Sequence, residues 1–155
     1  YYFPMKALIF KKGAGFKSLA DLKGKKAGAS MGTTYVKELK EAGGIEVTEL
    51  DNTPLVVQDI KNSRLDAGLF DSAQASVFVK ENPELEMAIL DLPVVNDDTF
   101  AIALPKDSKD VAKINDILKE MKSNGEFHKI LVQYLGEAAA KQYEAAEAKL
   151  DIAKQ

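Results

Sequence analysis

Two short segments of the sequence carry groups that could hold a small charged molecule. The first consists of Ser30, Met31, Gly32, Thr33 and Thr34, and it lies between an apolar run and a helical pattern. A Gly-Thr-Thr turn at this place leaves backbone N–H groups unpaired, and a helix N-terminus stabilises a nearby anion by ~0.3–1 kcal/mol. We therefore predict an anion site at this turn.

The second segment is a short apolar strand, residues 66–70, which is followed by Asp71. If both strands belong to one parallel sheet, their carboxyl ends lie at the same edge, and Asp71 could face a cation beside the turn. Together the two segments suit a zwitterion such as a free amino acid. A simpler explanation stays open, because Thr and Asp commonly cap helices without any ligand. Asp66 is expected to make a hydrogen bond at the strand start rather than to contact a ligand.

Alternating strand and helix patterns position these segments. A short helical turn is predicted at residues 18–22, and longer helices follow the second, third and fourth strands. Strands are predicted at residues 5–10, 26–29, 45–50, 66–70, 86–90 and 100–104. This order predicts an α/β fold with a doubly wound, mostly parallel sheet, in which ligands bind at the carboxyl ends of the strands.

The character of the sequence changes after Pro105. Apolar residues recur at helical spacing in residues 111–121 and 127–135, and an Ala-rich tail over residues 137–154 favours a third helix. We therefore divide the chain into an α/β lobe, residues 1–104, and a C-terminal helical segment, residues 105–155.

Composition excludes several kinds of function. The chain has 155 residues, 46% of them hydrophobic, and a net charge of -3, so it lacks the basic surface that nucleic-acid binding requires. It has no cysteine and a single histidine, His128, which gives neither a metal cluster nor a catalytic triad. We expect no catalytic residue, no metal and no cofactor. We also find no signal-peptide pattern and no apolar stretch of membrane-spanning length.

Several motifs together resemble one known family. They are residues 18–26, Gly32-Thr33-Thr34, residues 64–71, residues 101–106, residues 114–118, residues 124–127 and residues 134–136. In this order they resemble the bacterial family 3 solute-binding proteins, the amino-acid receptors of ABC importers. The resemblance covers nearly the whole chain.

The resemblance implies a lobe of the type II periplasmic-binding-protein fold, an extracytoplasmic location and a permease as partner of the parent protein. It also implies that Thr34 and the backbone of its turn hold the ligand α-carboxylate and that Asp71 holds the α-ammonium. Ser30 and Phe70 would lie near the ligand side chain. Asp98, near the crossing between lobes, suggests a cationic ligand as a hypothesis.

The family's first lobe has no counterpart in these residues. We therefore expect the isolated chain to bind an amino acid weakly or not at all, because one lobe cannot enclose a ligand. The apolar stripes of the C-terminal helices would need another surface, which predicts a homodimer, a segment swap or repacking onto the α/β lobe.

Other functions fit the same fold. A cyclohexadienyl dehydratase would need a buried acid-base carboxylate facing the ligand, and a ligand-sensing domain would need a fused signalling or transmembrane segment; we identify neither. A phosphorylation receiver would need an acidic pair after its first strand, where this chain has Lys11 and Lys12.

Overall fold

The structure is a computed structural model that describes residues 1–92 and 99–153, with side chains up to residue 149. The chain forms two compact units. One is Met5–Leu92, and the other combines Tyr1–Pro4 with Pro93–Gln155. We describe each unit by itself.

The unit Met5–Leu92 contains a five-stranded sheet with the order β3-β2-β4-β1-β5. The strands are β1 (Lys6–Lys11), β2 (Lys26–Ser30), β3 (Glu46–Leu50), β4 (Ala67–Asp71) and β5 (Leu85–Ile89). Strand β2 pairs in parallel with β3 and β4, whereas β1 pairs antiparallel with β4 and β5. Four strands therefore run in one direction and β1 runs against them, so the predicted α/β fold with a mostly parallel sheet is confirmed.

Helices cover both faces of this sheet. A 3-10 turn spans Leu19–Leu22, and the helices are α1 (Thr34–Ala42), α2 (Thr53–Lys61) and α3 (Ser72–Glu81). Alternate residues of β1 enter two different cores, as the period of two in a strand requires. Leu8 and Phe10 pack with residues of α1, and Ala7 and Ile9 pack with residues of α2 and α3.

Strand β4 lies in the middle of the sheet, and its residues Ala67–Phe70 are all buried. Gly68 makes room for the ring of Phe70, because a Cβ added to Gly68 would lie 2.6 Å from Phe70 Cε2. Phe70 is 2% exposed and belongs to the core shared with α2 and α3. The apolar strand predicted at this position is confirmed.

The second unit is mainly helical. It contains α4 (Asp110–Ser123), α5 (Glu126–Leu135) and α6 (Glu137–Ala153). The ring of Tyr143 in α6 is fully buried and stacks on Phe3 at 4.4 Å and on Tyr2 at 5.2 Å between ring centroids. Helix α4, in contrast, has no buried residue, and Val111 and Ile117 are each almost half exposed.

The strand predicted for residues 100–104 is wrong. Phe100 forms only an isolated antiparallel bridge with Tyr2, and residues 101–104 adopt no regular structure. The apolar run at these residues is β-like by composition, but a strand requires a partner.

Candidate functional site

The carboxyl edge of the sheet brings the two predicted segments together. Ala27 and Gly28 of β2 are the register partners of Ala67 and Gly68 in β4. With this register, β2 ends at Ser30, which is level with Phe70 of β4. Strand β4 ends one residue later, at Asp71. The topology therefore places the Gly-Thr-Thr turn and Asp71 at the ends of neighbouring strands.

The turn after β2 is tight. The Thr33 N–H donates to the Ser30 carbonyl at 3.3 Å, and Gly32 lies between them with φ +77. A positive φ at the third residue of such a turn favours glycine. Met31 donates its N–H to the Leu50 carbonyl at 2.8 Å, which fixes the turn to the end of β3.

Three helices begin at this edge, and their N-termini differ in how they are capped. The Asn52 side chain accepts the Leu55 N–H of α2 at 3.1 Å, and Asp71 Oδ1 accepts from α3. Thr33 occupies the cap position of α1, but its hydroxyl donates instead to the Ser30 carbonyl at 2.6 Å. Thus Thr33 provides no side-chain cap for α1, and the N–H of Thr34 at the first position of the helix can bond an anion.

Asp71 combines a structural role with a half-buried carboxylate. Its Oδ1 accepts the N–H groups of Ala73 at 2.7 Å and Gln74 at 3.1 Å, so capping of α3 is real. Neither of these bonds involves Oδ2. A carboxylate can accept further hydrogen bonds through its second oxygen, so capping and cation binding are compatible.

An ion pair that the sequence analysis did not predict lies near the same carboxyl edge of the sheet. Lys6 Nζ is 2.8 Å from Glu38 Oε1, and Lys6 is the register partner of Asp71. The signal in the sequence is a lysine at the first position of an otherwise apolar strand. Its partner, 32 positions further along, has no local signal.

A groove of about 550 Å³ borders the turn on the side of α1 and β3. Its lining consists of Gly32, Thr33, Val36, Lys37, Lys40, Glu41 and Glu49. Lys40 and Glu49 form an ion pair at 2.6 Å, and Lys37 pairs with Glu41 at 3.7 Å. The charged groups of this groove therefore already have partners within the protein.

The predicted site residues have different environments. Ser30 and Thr33 are half-buried at the turn, and Gly32 and Thr34 are exposed. Met31 is 56% exposed at the tip of the turn.

Phe70 and Asp98 differ from the other predicted ligand contacts. Phe70 is 2% exposed, and its side chain lies in the core shared with α2 and α3; its place near the ligand side chain stays a prediction. That prediction came from the family resemblance, and neighbouring strand residues such as Phe70 and Asp71 point to opposite faces. Asp98 lies outside the described residues.

The remaining candidate chemistry is limited. Within residues 1–92 and 99–153, no group of three or more His, Cys, Asp or Glu side chains is arranged to hold a metal ion. The ring of His128 bonds Glu144 at 2.8 Å. Across the same part of the chain, no helix is long and apolar enough to cross a bilayer.

Comparison with known proteins gives the family. The sequence model of the family described as "NMT1/THI5 like" matches residues 2–92. The chain belongs to this family. The match contains the whole sheet and therefore the turn and Asp71.

Relatives of this NMT1/THI5-like chain are amino-acid-binding proteins. The arginine-binding extracellular protein ArtP of Bacillus subtilis is 34% identical over 84% of this chain and 52% of its own length. A solved structure of the amino acid ABC transporter substrate-binding protein AbpA from Streptococcus pneumoniae, bound to L-arginine, is 32% identical. It covers 91% of this chain and 59% of that protein, with a TM-score of 0.64. The resemblance to solute-binding proteins is confirmed.

A single-domain structure matches part of this NMT1/THI5-like chain. Domain 2 of TmArgBP is 32% identical with a TM-score of 0.53, and the match includes 99% of that domain and 56% of this chain. The chain spans about half the length of the curated relatives it matches. These relatives are named as binding proteins, which agrees with the prediction that the chain is not an enzyme.

Proposed function

We propose that this chain is part of the substrate-binding component of an amino-acid ABC importer, with the carboxyl edge of its sheet as the ligand surface. The observation that carries the proposal is the uncapped N-terminus of α1 beside Asp71. A free amino acid has a carboxylate and an ammonium on one carbon atom. At this edge, the partly positive N-terminus of α1 and the negatively charged Asp71 follow the ends of neighbouring strands.

Each ligand group has a proposed partner. The backbone of the Gly32-Thr33-Thr34 turn, with the Thr34 hydroxyl, would hold the α-carboxylate; its donors would be the N–H groups of Gly32 and Thr34, because the Thr33 N–H already donates to the Ser30 carbonyl. The second oxygen of Asp71 would accept the α-ammonium, while Ser30 would approach the ligand side chain. Asp98 stays a hypothesis for the recognition of a cationic side chain.

The relatives support the class of ligand and the compartment. ArtP is named as arginine-binding and extracellular, and AbpA as a component of an amino acid ABC transporter. By this similarity we propose an extracytoplasmic location and a permease partner for the parent protein. We also propose that residues 1–104 act as the ligand lobe and that residues 105–155 cover another lobe of the parent.

Affinity is expected to be weak for this chain alone. Gly32 and Thr34 are exposed, so water screens their contacts with a ligand. Two or three charge-assisted hydrogen bonds at ~1.5–3 kcal/mol each scarcely offset the entropy of capturing a small molecule. We expect a Kd of about 1 mM or weaker for L-arginine.

A nuclear magnetic resonance titration tests the proposal. L-arginine should shift the amide signals of Gly32, Thr33 and Thr34 in a saturable manner. Asp71→Asn keeps an oxygen that caps α3 but loses the charge, so its affinity should fall about tenfold or more with little change in stability. Saturable shifts confined to other residues, or unchanged affinity in Asp71→Asn, would refute the proposed site.

We further propose that the exposed face of α4 mediates self-association of this chain, as a homodimer or a segment swap. Val111 and Ile117 are 47% and 45% exposed on this helix. Light scattering should then give a mass above 16.9 kDa. The variant Val111→Asp/Ile117→Asp should be monomeric, and a monomeric parent chain would refute the proposal.

A further inference from the structure

The chain between the end of β1 and the start of β2 is strongly basic. Residues 11–26, which we call the basic segment, contain six lysines and one aspartate, a net charge of +5, although the whole chain carries -3. All six lysines are exposed to solvent: Lys11, Lys12, Lys17, Lys23, Lys25 and Lys26. The basic segment therefore concentrates positive charge on a chain whose other residues are acidic in net.

The sheet places the basic segment at the edge opposite the proposed ligand surface. Strand β1 runs antiparallel to β4, so its end at Lys11 lies at the edge where β2 begins with Lys26. Ser30 and the Gly-Thr-Thr turn lie at the other end of β2, about 13 Å away at ~3.3 Å per residue. A flat partner on the basic segment would therefore leave the ligand edge open.

Hydrogen bonds hold the backbone of the basic segment against neighbouring parts of the unit. The Lys12 N–H donates to the Glu84 carbonyl at 3.1 Å, and the Gly24 N–H donates to the Gly44 carbonyl at 2.7 Å. The side chain of Leu22 is fully buried. Because this scaffold is already ordered, docking through the lysines would cost little backbone entropy.

Most lysines of the basic segment are not neutralised within the described part of the chain. There, only Lys26 of the six forms an ion pair, with Glu46 at 3.8 Å, and Lys11 donates to the neutral Ser63 hydroxyl at 2.6 Å. Elsewhere in the unit Met5–Leu92, every basic residue except Lys80 pairs with a carboxylate: Lys6, Lys37, Lys40, Lys61 and Arg64. The free positive charge of this unit is thus gathered in the basic segment.

Carboxylates that border the basic segment already have partners. Asp21 accepts two backbone N–H groups of the segment, and Glu86 accepts the Gly13 N–H at 3.2 Å. Glu84 pairs with Lys61 at 3.2 Å. These acids lower the net charge of the edge, but among the described residues they leave four lysines without an ion pair: Lys12, Lys17, Lys23 and Lys25.

We propose that the basic segment docks this chain on an anionic lipid surface. The choice of a membrane rests on the function proposed above, because a component of an ABC importer works beside one. A lysine ammonium is a compact, strongly hydrated point charge, which suits attraction to many headgroups rather than a fitted grip on a single phosphate. Clusters of about four to eight basic residues bind anionic lipids in this way.

Sedimentation with lipid vesicles tests this inference on the full chain, with no amino acid present. One vesicle sample is phosphatidylcholine alone, and the other is an equal mixture of phosphatidylcholine and phosphatidylglycerol. The chain should bind only the mixed vesicles. The bound fraction should fall steeply as sodium chloride is raised from about 10 to about 150 mM, because salt screens exposed charges.

Two double variants with the same change of net charge separate the basic segment from charge alone. Lys12→Gln/Lys25→Gln should weaken binding to the mixed vesicles by about tenfold or more. Lys109→Gln/Lys113→Gln removes two exposed lysines of the helical unit and should weaken it less than about threefold. Circular dichroism of both variants checks that the fold is kept.

Three results would overturn the inference. They are equal binding to both kinds of vesicle, equal losses in the two double variants, and salt-dependent binding to soluble poly-L-glutamate without binding to mixed vesicles, which would indicate an acidic protein as partner. The L-arginine titration is a separate measurement. If it fails while the mixed vesicles bind, the proposed function fails and the lipid-binding surface stands; the reverse result overturns only this inference.

Discussion

Asp66 and Lys26 form two reciprocal hydrogen bonds at the start of their strands. The Lys26 N–H donates to Asp66 Oδ2 at 2.8 Å, and the Asp66 N–H donates to the Lys26 carbonyl at 2.8 Å. These bonds fix the register of β2 against β4 at the amino ends. The same register brings Ser30 and Asp71 together at the opposite edge.

Replacement of Asp66 should loosen this strand start. Asp66→Ala removes the acceptor of the Lys26 N–H and should lower the free energy of unfolding by about 1 kcal/mol. Asp66→Asn keeps an acceptor oxygen and should cost less. Urea unfolding measures both variants, and equal stability of Asp66→Ala and the parent chain would contradict the assigned role.

Two glycines should respond to alanine for different reasons. Gly32 has φ +77 with no atom within 4 Å of an added Cβ, so Gly32→Ala should cost about 1 kcal/mol of backbone strain. At Gly68 the added Cβ would meet the Phe70 ring and Val56, so Gly68→Ala should cost about 2–3 kcal/mol through overpacking. Denaturant unfolding of both variants tests this order, and a larger loss for Gly32→Ala would contradict it.

Asp21 should contribute a pH-dependent part of the stability. The backbone N–H groups of Lys17 and Ser18 donate to Asp21 Oδ2 at 2.9 Å each, and they lower the pKa of this carboxyl below its ordinary value of 3.8. A pKa that is lowered in the folded state stabilises the fold at pH values above the pKa of the unfolded chain. This contribution is lost as the pH falls through the pKa of the folded state.

The variant Asp21→Asn checks this dependence. It should be less stable than the parent at pH 7, and the difference should shrink as the pH falls below about 4, because the carboxyl is protonated first in the unfolded chain and at still lower pH in the folded state. Asp51→Asn removes the same charge from an exposed position and serves as control. A constant difference between Asp21→Asn and the parent from pH 7 to pH 3 would show that the carboxylate charge is not involved.

The unit Met5–Leu92 should fold by itself. Both core clusters on the two faces of the sheet consist of its own residues, and the isolated domain 2 of TmArgBP has been crystallised. Residues 5–92 produced alone should unfold cooperatively in urea and keep an α/β circular dichroism spectrum. A gradual, non-cooperative transition would show that the remaining residues are needed for folding.

Much of this fold could be predicted because its signals are local. The Gly-Thr-Thr turn, the start of α2 at Thr53 and the apolar run of β4 each depend on residues that lie within a few positions of one another. The role of Asp66 at the strand start was also predicted and is confirmed. Such signals fix backbone conformation wherever the segment packs.

The tertiary structure decided those features that depend on contacts between residues far apart in the sequence. Strand β1 runs antiparallel between β4 and β5, and Phe70 enters the core although Asp71 beside it reaches the edge. The apolar run after Phe100 forms no strand, and within the described part of the chain this segment has a bridge only between Phe100 and Tyr2. Pairing of this kind joins residues tens of positions apart, and no local pattern encodes it.

In the candidate site, too, some features follow from the local sequence and others from the packing of the chain. The sequence by itself determined that the turn at Gly32 and the residue Asp71 could bind opposite charges, because residue type and helix geometry suffice for that. Only the tertiary structure decided that Asp71 caps its helix while Thr33 does not, and that Lys6 forms an ion pair with Glu38. Hydrogen bonds and ion pairs are short-ranged, so the choice among competing partners is made only when the packed chain sets the distances.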